Sequence, residues 1–345
     1  MFWLHYPWWR HLRSGYDTFP YLPPDHTQGS QESQESQESQ DIKDIRHLTY
    51  PAERSTLQAV CHFLRTHFAY ETPGPHPTLC FTPETLLGPM DHLLILYEGN
   101  KRNDSPSSGI IGTIRYHFTG FLWEADRPAI YLVDAFCLHP AHRHHGKGAV
   151  LLHALHRLAN GLGLPHALFL KEGRPLLPLP LRSGRYRYRR CHRTMDTVHV
   201  TSVTPKQAHR WIHVHQMLSP TLLILAPPDA PNQQWYVYRS AATASTIILA
   251  CLQDTHQRTS EERMGWITVW LETPNVTDDH RREAANAFAD GPHGFDWLWI
   301  TLDTPDTLIG WQDDGPFHWY SFQWTASTAS TASTASTSTR GGIMN

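Results

Sequence analysis

Cysteine is scarce and lacks any pairing pattern. The five residues, Cys61, Cys80, Cys137, Cys191 and Cys251, are odd in number, far apart and never form a C-x-x-C pair. That argues against a disulfide framework and a thiolate zinc site, and a reducing compartment is expected. Long apolar runs are missing too. The stretches TLLILA (221–226) and IILACL (247–252) fall far short of the roughly 20 residues that a membrane helix needs. The aromatic start MFWLHYPWWRHLR is interrupted by His, Pro and Arg, so it lacks the apolar core of a secretory signal. A soluble, cytoplasmic protein is expected. A large charge of one sign is also absent: the net charge of −3 exerts no global pull toward nucleic acid or membrane.

Forty per cent of the 345 residues are apolar and 18% charged, enough for one large core or two modest ones. Charge is unevenly distributed. From Ala141 to Arg193 there are 11 Lys/Arg against one acidic residue, Glu172, which calls for an anionic partner or a solvated basic face. SQESQESQESQ (30–40) and TASTASTASTASTST (325–339) carry too little apolar surface to offset the entropy of ordering, and both are expected to be flexible.

Between them, AIYLVDAFCL (129–138) is a near-continuous apolar run and reads as a buried strand. Val150, Leu151, Ala154, Leu155 and Leu158 then recur at helical spacing, with Gly161 and Gly163 as a stop. HALFL (166–170) reads as the next strand and TVHVTSV (197–203) as a half-buried one. The second half repeats this order. GWITVWLET (265–273) is a strand, DDHRREAANAFADG (278–291) a helix, and FDWLWITLD (295–303) and PFHWYSFQW (316–324) are strands. Two similar units are expected, with a boundary near 195–210.

The stretch FCLHPAHRHHGKGAVLLHAL (136–155) allows two readings. Its histidines, from His139 to His153, with His156 just beyond, lack the ligand spacing of a zinc site and the carboxylates that would orient its imidazoles, and no metal is expected. The alternative is a phosphate loop. Arg143-His144-His145-Gly146-Lys147-Gly148, leading into Ala149, stands between a strand and a helix. There, backbone amides and the helix dipole favour an anion. The pattern resembles the acyl-CoA pyrophosphate loop of the GCN5-related N-acyltransferase (GNAT) superfamily.

A more specific resemblance follows downstream. LPLPLRSGRYRYRR (177–190) is similar to the L-P-x-P-x-x-S/T-x-R-Y-x-x-R segment of N-myristoyltransferases, matched at Leu177, Pro178, Pro180, Ser183, Arg185, Tyr186 and Arg189. FWLHYP (2–7) resembles that family's N-terminal arm, and FTPETLLGPM (81–90) its Y-S-P-E-F-L helix start. VDAFCLHP (133–140) resembles the first signature, keeping Cys137 and His139. IGWQDDG (309–315) stands in place of the second, keeping Asp314 and Gly315. Leu132, Asp134, Pro140 and Leu170 stand where the family has Glu, Asn, Lys and Thr, and residues 310–313 also depart from its pattern.

The resemblance implies an α/β protein with a mixed α+β sheet, made of two fused GNAT-like halves in a pseudo-twofold arrangement. Its divisions would be an arm (1–29), a linker (30–40), an acyl-CoA-binding half (41–203), a peptide-binding half (204–324) and a tail (325–345). It implies myristoyl-CoA as co-substrate without a prosthetic group, N-terminal glycine peptides as acceptors and a monomer. Phe2, Trp3, Arg143, His144, His145, Gly146, Lys147, Gly148 and Ala149 would hold the acyl-CoA. The backbone amides of Ala135 and Phe136 would form an oxyanion hole. The base would be the terminal carboxylate of Asn345, 21 residues past Trp324, a tail able to span roughly 70 Å. The shortened, repeat-bearing chain fits a virus-encoded copy, whose location would be the host cytoplasm. The rival readings are an acetyl-CoA-dependent N-acetyltransferase, an inactive acyl-CoA- or peptide-binding homologue, and a nucleic-acid binder using RSGRYRYRRCHR (182–193). Nucleic acid is not the expected partner, and that tract is expected to be a solvated face near the CoA phosphates.

Overall fold

The computed structural model describes residues 44–68, 77–99, 109–121, 129–163, 166–173, 182–192, 199–218, 233–240, 247–301 and 308–323. Phe2, Trp3, Asn345, Trp324, both low-complexity segments and residues 177–181 lie outside them.

The first half runs β1 (Ile45–Thr49), α1 (Arg54–His67), β2 (Thr78–Leu79), the short α2 (Pro83–Leu86), β3 (His92–Tyr97), β4 (Ile110–Phe121), β5 (Ala129–Leu138), α3 (Lys147–Gly161), β6 (His166–Glu172) and β7 (Arg182–Arg190). The second runs β8 (Val200–Val203), α4 (Pro205–Leu218), β9 (Gln233–Arg239), β10 (Ile247–Thr259), β11 (Glu262–Glu272), α5 (Asp278–Ala289), β12 (Trp297–Ile300) and β13 (Gln312–Gln323). The strands and helices read from apolar periodicity are all present. The expected strand at 197–203 is the shorter β8.

One mixed, mostly antiparallel sheet joins both halves in the order β1-β3-β4-β5-β6-β13-β7-β12-β11-β10-β9-β8, with β2 pairing to β10 off that path. The halves exchange their last strands: β13 lies between β6 and β7, while β7 pairs with β12. Each half contains one short parallel pairing. β5 and β6 pair only at Tyr131↔Ala167 and Leu132↔Leu168, and β11 and β12 only from Met264↔Trp297 to Trp266↔Trp299. β5 and β6 both continue past their last pair, so they splay apart beyond it.

Helices cover both faces. α3 seats Leu151, Leu152 and Leu155 on Tyr131, Val133, Ala167 and Phe169, whereas α1 seats Val60, Cys61 and Leu64 on Leu93, Ile95, Ala135 and Cys137. With a strand period of two, all odd positions of β5 should face one helix. They do not, because the register steps from Thr113↔Cys137 to Arg115↔Asp134, two residues on β4 against three on β5. This β-bulge inserts one residue and reverses the alternation. Ala135 takes the turn at φ 46°. The second half does the same. Cys251↔Val269 is followed by Leu252↔Ile267, so Ile267 faces α5 and Val269 faces α4.

Candidate active site

The bulge of β5 lies beside the point where β5 and β6 part. The register gives no β4 partner to Ala135 or Phe136, as expected where a bulge interrupts a ladder. The Thr113 hydroxyl donates to the Ala135 carbonyl at 2.9 Å and braces the bulge from β4. Beyond it, one face of the sheet opens onto a cavity of about 460 Å³. Alternate residues supply its wall: Arg115 and His117 from β4, Leu132 and Asp134 from β5, Leu170 and Glu172 from β6, and Phe317 and Trp319 from β13. Residues 79–91 line it from the first half, and Gln233, Asp254, His256 and Trp266 from the second.

The wall is charged and ordered. Arg115, 3% exposed, donates from Nε and Nη2 to the two carboxylate oxygens of Asp134, both at 2.6 Å. Its Nη1 donates to the carbonyls of Thr85 and Leu86 at 3.1 and 2.8 Å, and its guanidinium lies 4.8 Å from the Phe81 ring centre. One side chain thus ties together β4, β5 and α2. Asp91, also 3% exposed, accepts from the amides of Gly88 and Phe118, both at 2.8 Å, and meets His117 Nδ1 at 2.9 Å. Burial pushes the Asp91 carboxyl up, but His117, Arg115 and the Gly88 amide outweigh it and bring it down to about 2. Across the cavity, Asp254 accepts from Arg258, Arg263 and the His256 amide. Its carboxyl likewise falls to about 2 against the opposing effect of burial. His256, at φ 59° with its ring 4.6 Å from Phe81, is brought down to about 4 by burial.

Among the described residues, no cysteine lines the cavity. Burial pushes the thiols of Cys137 and Cys251 up to about 12 and that of Cys61 to about 11, so none supplies thiolate near neutrality.

The 139–149 loop follows β5 directly, beginning three residues past the bulge. His139 Nδ1 accepts from the Ala141 amide, and its ring stands 4.5 Å from His67 and 5.7 Å from His142. Arg143 points inward, with Nε donating to the Leu138 carbonyl and Nη2 to the His67 carbonyl. It braces the loop against α1. His144 and Gly146 take φ 64° and 75°, and Gly146 caps α3 without a side chain over the first amides. Gly148 is buried within α3, and the Ala149 amide closes back on the Gly146 carbonyl at 2.9 Å. Among the described residues, no group of three or more His, Cys, Asp or Glu could hold a metal ion.

The arginine tract is partly solvated, with Arg185 and Arg190 exposed. It forms β7 at the junction of the halves. Arg185 pairs with Asp313, Arg189 with Asp290 and Arg190 with Glu262, while Tyr186 is buried against Phe317. Second-half carboxylates therefore neutralise three of its arginines. Gly184 is required where it stands, since a Cβ there would lie 2.6 Å from Phe317 Cζ. In the second signature, Gly315 takes φ 108° and its amide donates to Asp313.

Three departures from the family signatures, Leu132, Asp134 and Leu170, all line the cavity. Their concentration on one wall could have signalled a remodelled site. Arg115, Asp91, His117, Asp254 and His256 carried no motif and were not anticipated.

Residues 57–178 match the model of the acetyltransferase (GNAT) family. Among solved structures, Saccharomyces cerevisiae N-myristoyltransferase with bound myristoyl-CoA and inhibitors superposes with a TM-score of 0.57 at 12% identity, covering 82% of this chain and 81% of that one. The same yeast enzyme with bound myristoyl-CoA gives a TM-score of 0.54 at 12% identity over 81% and 82%. No curated protein matches in sequence. The fold is therefore GNAT-like, a mixed α+β architecture with a large, mostly antiparallel sheet. No described helix is long and apolar enough to cross a membrane.

Proposed function

We propose that this chain is an acyl-CoA-dependent N-acyltransferase, with residues 41–203 receiving the acyl-CoA and 204–324 forming the far wall of the acceptor site. The finer reading is transfer of a myristoyl group from myristoyl-CoA to the N-terminal glycine amine of a protein. The observation that carries it is the β5 bulge at Ala135–Phe136, set beside the β5/β6 splay and opening on the cavity. A thioester threaded through the splay would present its carbonyl oxygen to the Ala135 and Phe136 amides, which would stabilise the oxyanion of a tetrahedral intermediate. The loop Arg143–Ala149 would receive the pyrophosphate at the N-terminus of α3.

The cavity lining joins aromatic and aliphatic side chains, Phe81, Leu132, Leu170, Trp299 and Trp319 among them, to charged ones, and the charged part suits a polar acceptor rather than hydrocarbon. Glu84, Asp91, Asp134, Glu172 and Asp254 line the cavity with Arg115, and arginines pair Glu84, Asp134 and Asp254, so the polar wall offers an amine ordered carboxylates rather than a large net negative charge. Among the described residues, Gln233 Oε1, Gln257 Oε1, Trp266 Nε1 and Thr268 Oγ1 are buried without a hydrogen-bond partner, and all four residues line the cavity. Two carbonyl acceptors, one N–H donor and a hydroxyl match an amide-bearing substrate such as a peptide. With no thiolate at hand, the amine would attack the thioester directly.

Calorimetric titration with myristoyl-CoA and acetyl-CoA, followed by CoA release in the presence of a glycine-initiated peptide, tests the reading. Tight binding of the long chain and peptide-dependent release are expected. Preference for acetyl-CoA would transfer the assignment to an N-acetyltransferase, and binding of neither would overturn it.

A further inference from the structure

We infer that His117, oriented by Asp91, is the general base that takes the proton from the acceptor's ammonium group, an inference that rests on the acyl-transfer reading above. An amine must be neutral to attack a thioester, and near neutral pH a peptide's α-amine arrives mostly as the cation. His117 is the side chain positioned to receive that proton. It lines the cavity, its side chain is 28% exposed, and its Nδ1 is engaged by Asp91 at 2.9 Å. Its Nε2 has no hydrogen-bond partner among the described residues. Asp91 is anchored by two backbone amides, so it is a positioning residue that selects the tautomer with Nε2 free. Such a carboxylate–imidazole arrangement is how a base is oriented in acyl transfer generally.

The location fits. His117 pairs across the strands with Leu132, the last β5 residue before β6 splays away. Ala135 lies three residues further on, about 10 Å at 3.3 Å per residue, a gap that the length of the His117 side chain and bridging water at about 2.8 Å per hydrogen bond would span. The charged and titratable groups facing His117 are Asp91 before β3, Arg115 on its own strand, Asp134 on β5, Glu84 on α2, Glu172 on β6, and Asp254 with His256 on β10. Asp134 is engaged by Arg115 at both oxygens and Asp254 by two arginines.

The step balances. One ammonium proton goes to His117 Nε2, and the nitrogen lone pair then forms the C–N bond at the thioester carbon. Collapse of the tetrahedral intermediate breaks C–S, and the departing sulfur takes the second nitrogen proton to leave as CoA thiol. The imidazolium returns its proton to solvent.

CoA-thiol release by the full chain, with myristoyl-CoA and acetyl-CoA each paired with a glycine-initiated peptide, tests this across pH. His117→Ala is expected to lose about 100-fold or more in kcat/KM near neutrality with acyl-CoA affinity unchanged. Its rate should climb with pH until the peptide amine loses its own proton, and added imidazole should restore part of it. His117→Asn, whose amide still donates to Asp91, should fold normally and show the same loss. Loss without imidazole rescue, together with a lowered melting temperature in both variants, would reduce His117 to a structural role and overturn the inference. A loss under about 3-fold with an unchanged pH profile would also overturn it, leaving the acyltransferase intact. So would a chain lacking residues 325–345 that loses the pH limb while His117→Ala keeps it, since the base would then be the Asn345 carboxylate. No turnover by the unmodified chain with either acyl-CoA would defeat the acyltransferase reading itself.

Discussion

Replacing Arg115 by Met keeps the length of the side chain and removes its charge. Arg115 is 3% exposed and its guanidinium makes four hydrogen bonds, two of them to Asp134 at 2.6 Å. Removing one partner of a buried ion pair costs about 3–5 kcal/mol, largely because the other charge is stranded. The Asp134 side chain is 26% exposed to the cavity and can be rehydrated, which favours the lower end. The carbonyls of Thr85 and Leu86 also lose their donor, at a cost of about 1 kcal/mol between them once water reaches the cavity. The expected loss is therefore about 3–4 kcal/mol, read as a fall in the urea midpoint with the slope unchanged. The double variant Arg115→Met/Asp134→Leu should recover most of it, because an apolar pair of similar volume removes the stranded charge. A single-variant loss below about 1 kcal/mol, or a double variant as unstable as the sum of its singles, would refute the view that this pair holds the cavity wall together.

Acid should act in two phases. His156 and His256 are brought from 6.5 to about 4, so the unfolded chain takes up their protons first. Up to about 3 kcal/mol from each, present above pH 6.5, is lost as pH falls toward 4. Asp91 and Asp254, at about 2, each contribute about 2 kcal/mol that is present above pH 4 and lost toward pH 2. Urea melts at stepped pH check this, and His256→Asn, tolerated at positive φ, should shrink only the upper phase. Gly184→Val should destabilise by about 1–3 kcal/mol by driving into Phe317, seen as a lower melting temperature. Gly146→Val, at φ 75° with open space around it, should cost about 1–2 kcal/mol from backbone strain alone and weaken acyl-CoA binding in calorimetry. Cys137→Ala should retain CoA-releasing turnover, because burial pushes the Cys137 thiol up to about 12; loss of turnover in that variant at an unchanged melting temperature would contradict its exclusion as an acyl carrier.

Local chemistry determined the elements. The run 129–138 is apolar at nearly every position because both its faces are covered, and 150–158 has a helical period because only one face of α3 meets the sheet. Their order, repeated in the second half, was enough to expect two like units side by side. The reversal of alternation in β5 was not legible, since Ala135 and Phe136 are ordinary strand residues and the bulge is decided by their register against β4. The exchange of β7 and β13 was hidden for a related reason: it joins residues more than a hundred apart, such as Ser183 and His318, which no local pattern records. The site was masked by its own regularity. In IRYHF (114–118), Arg115 and His117 alternate with apolar neighbours and read as the solvent face of an amphipathic strand. Tertiary structure roofs that face with residues 79–91 and the second half, turning a wet surface into a cavity wall where Asp91 and Asp134 become partners of those two residues. Periodicity tells which face of a strand is polar, whereas only packing decides whether that polarity meets water or a substrate.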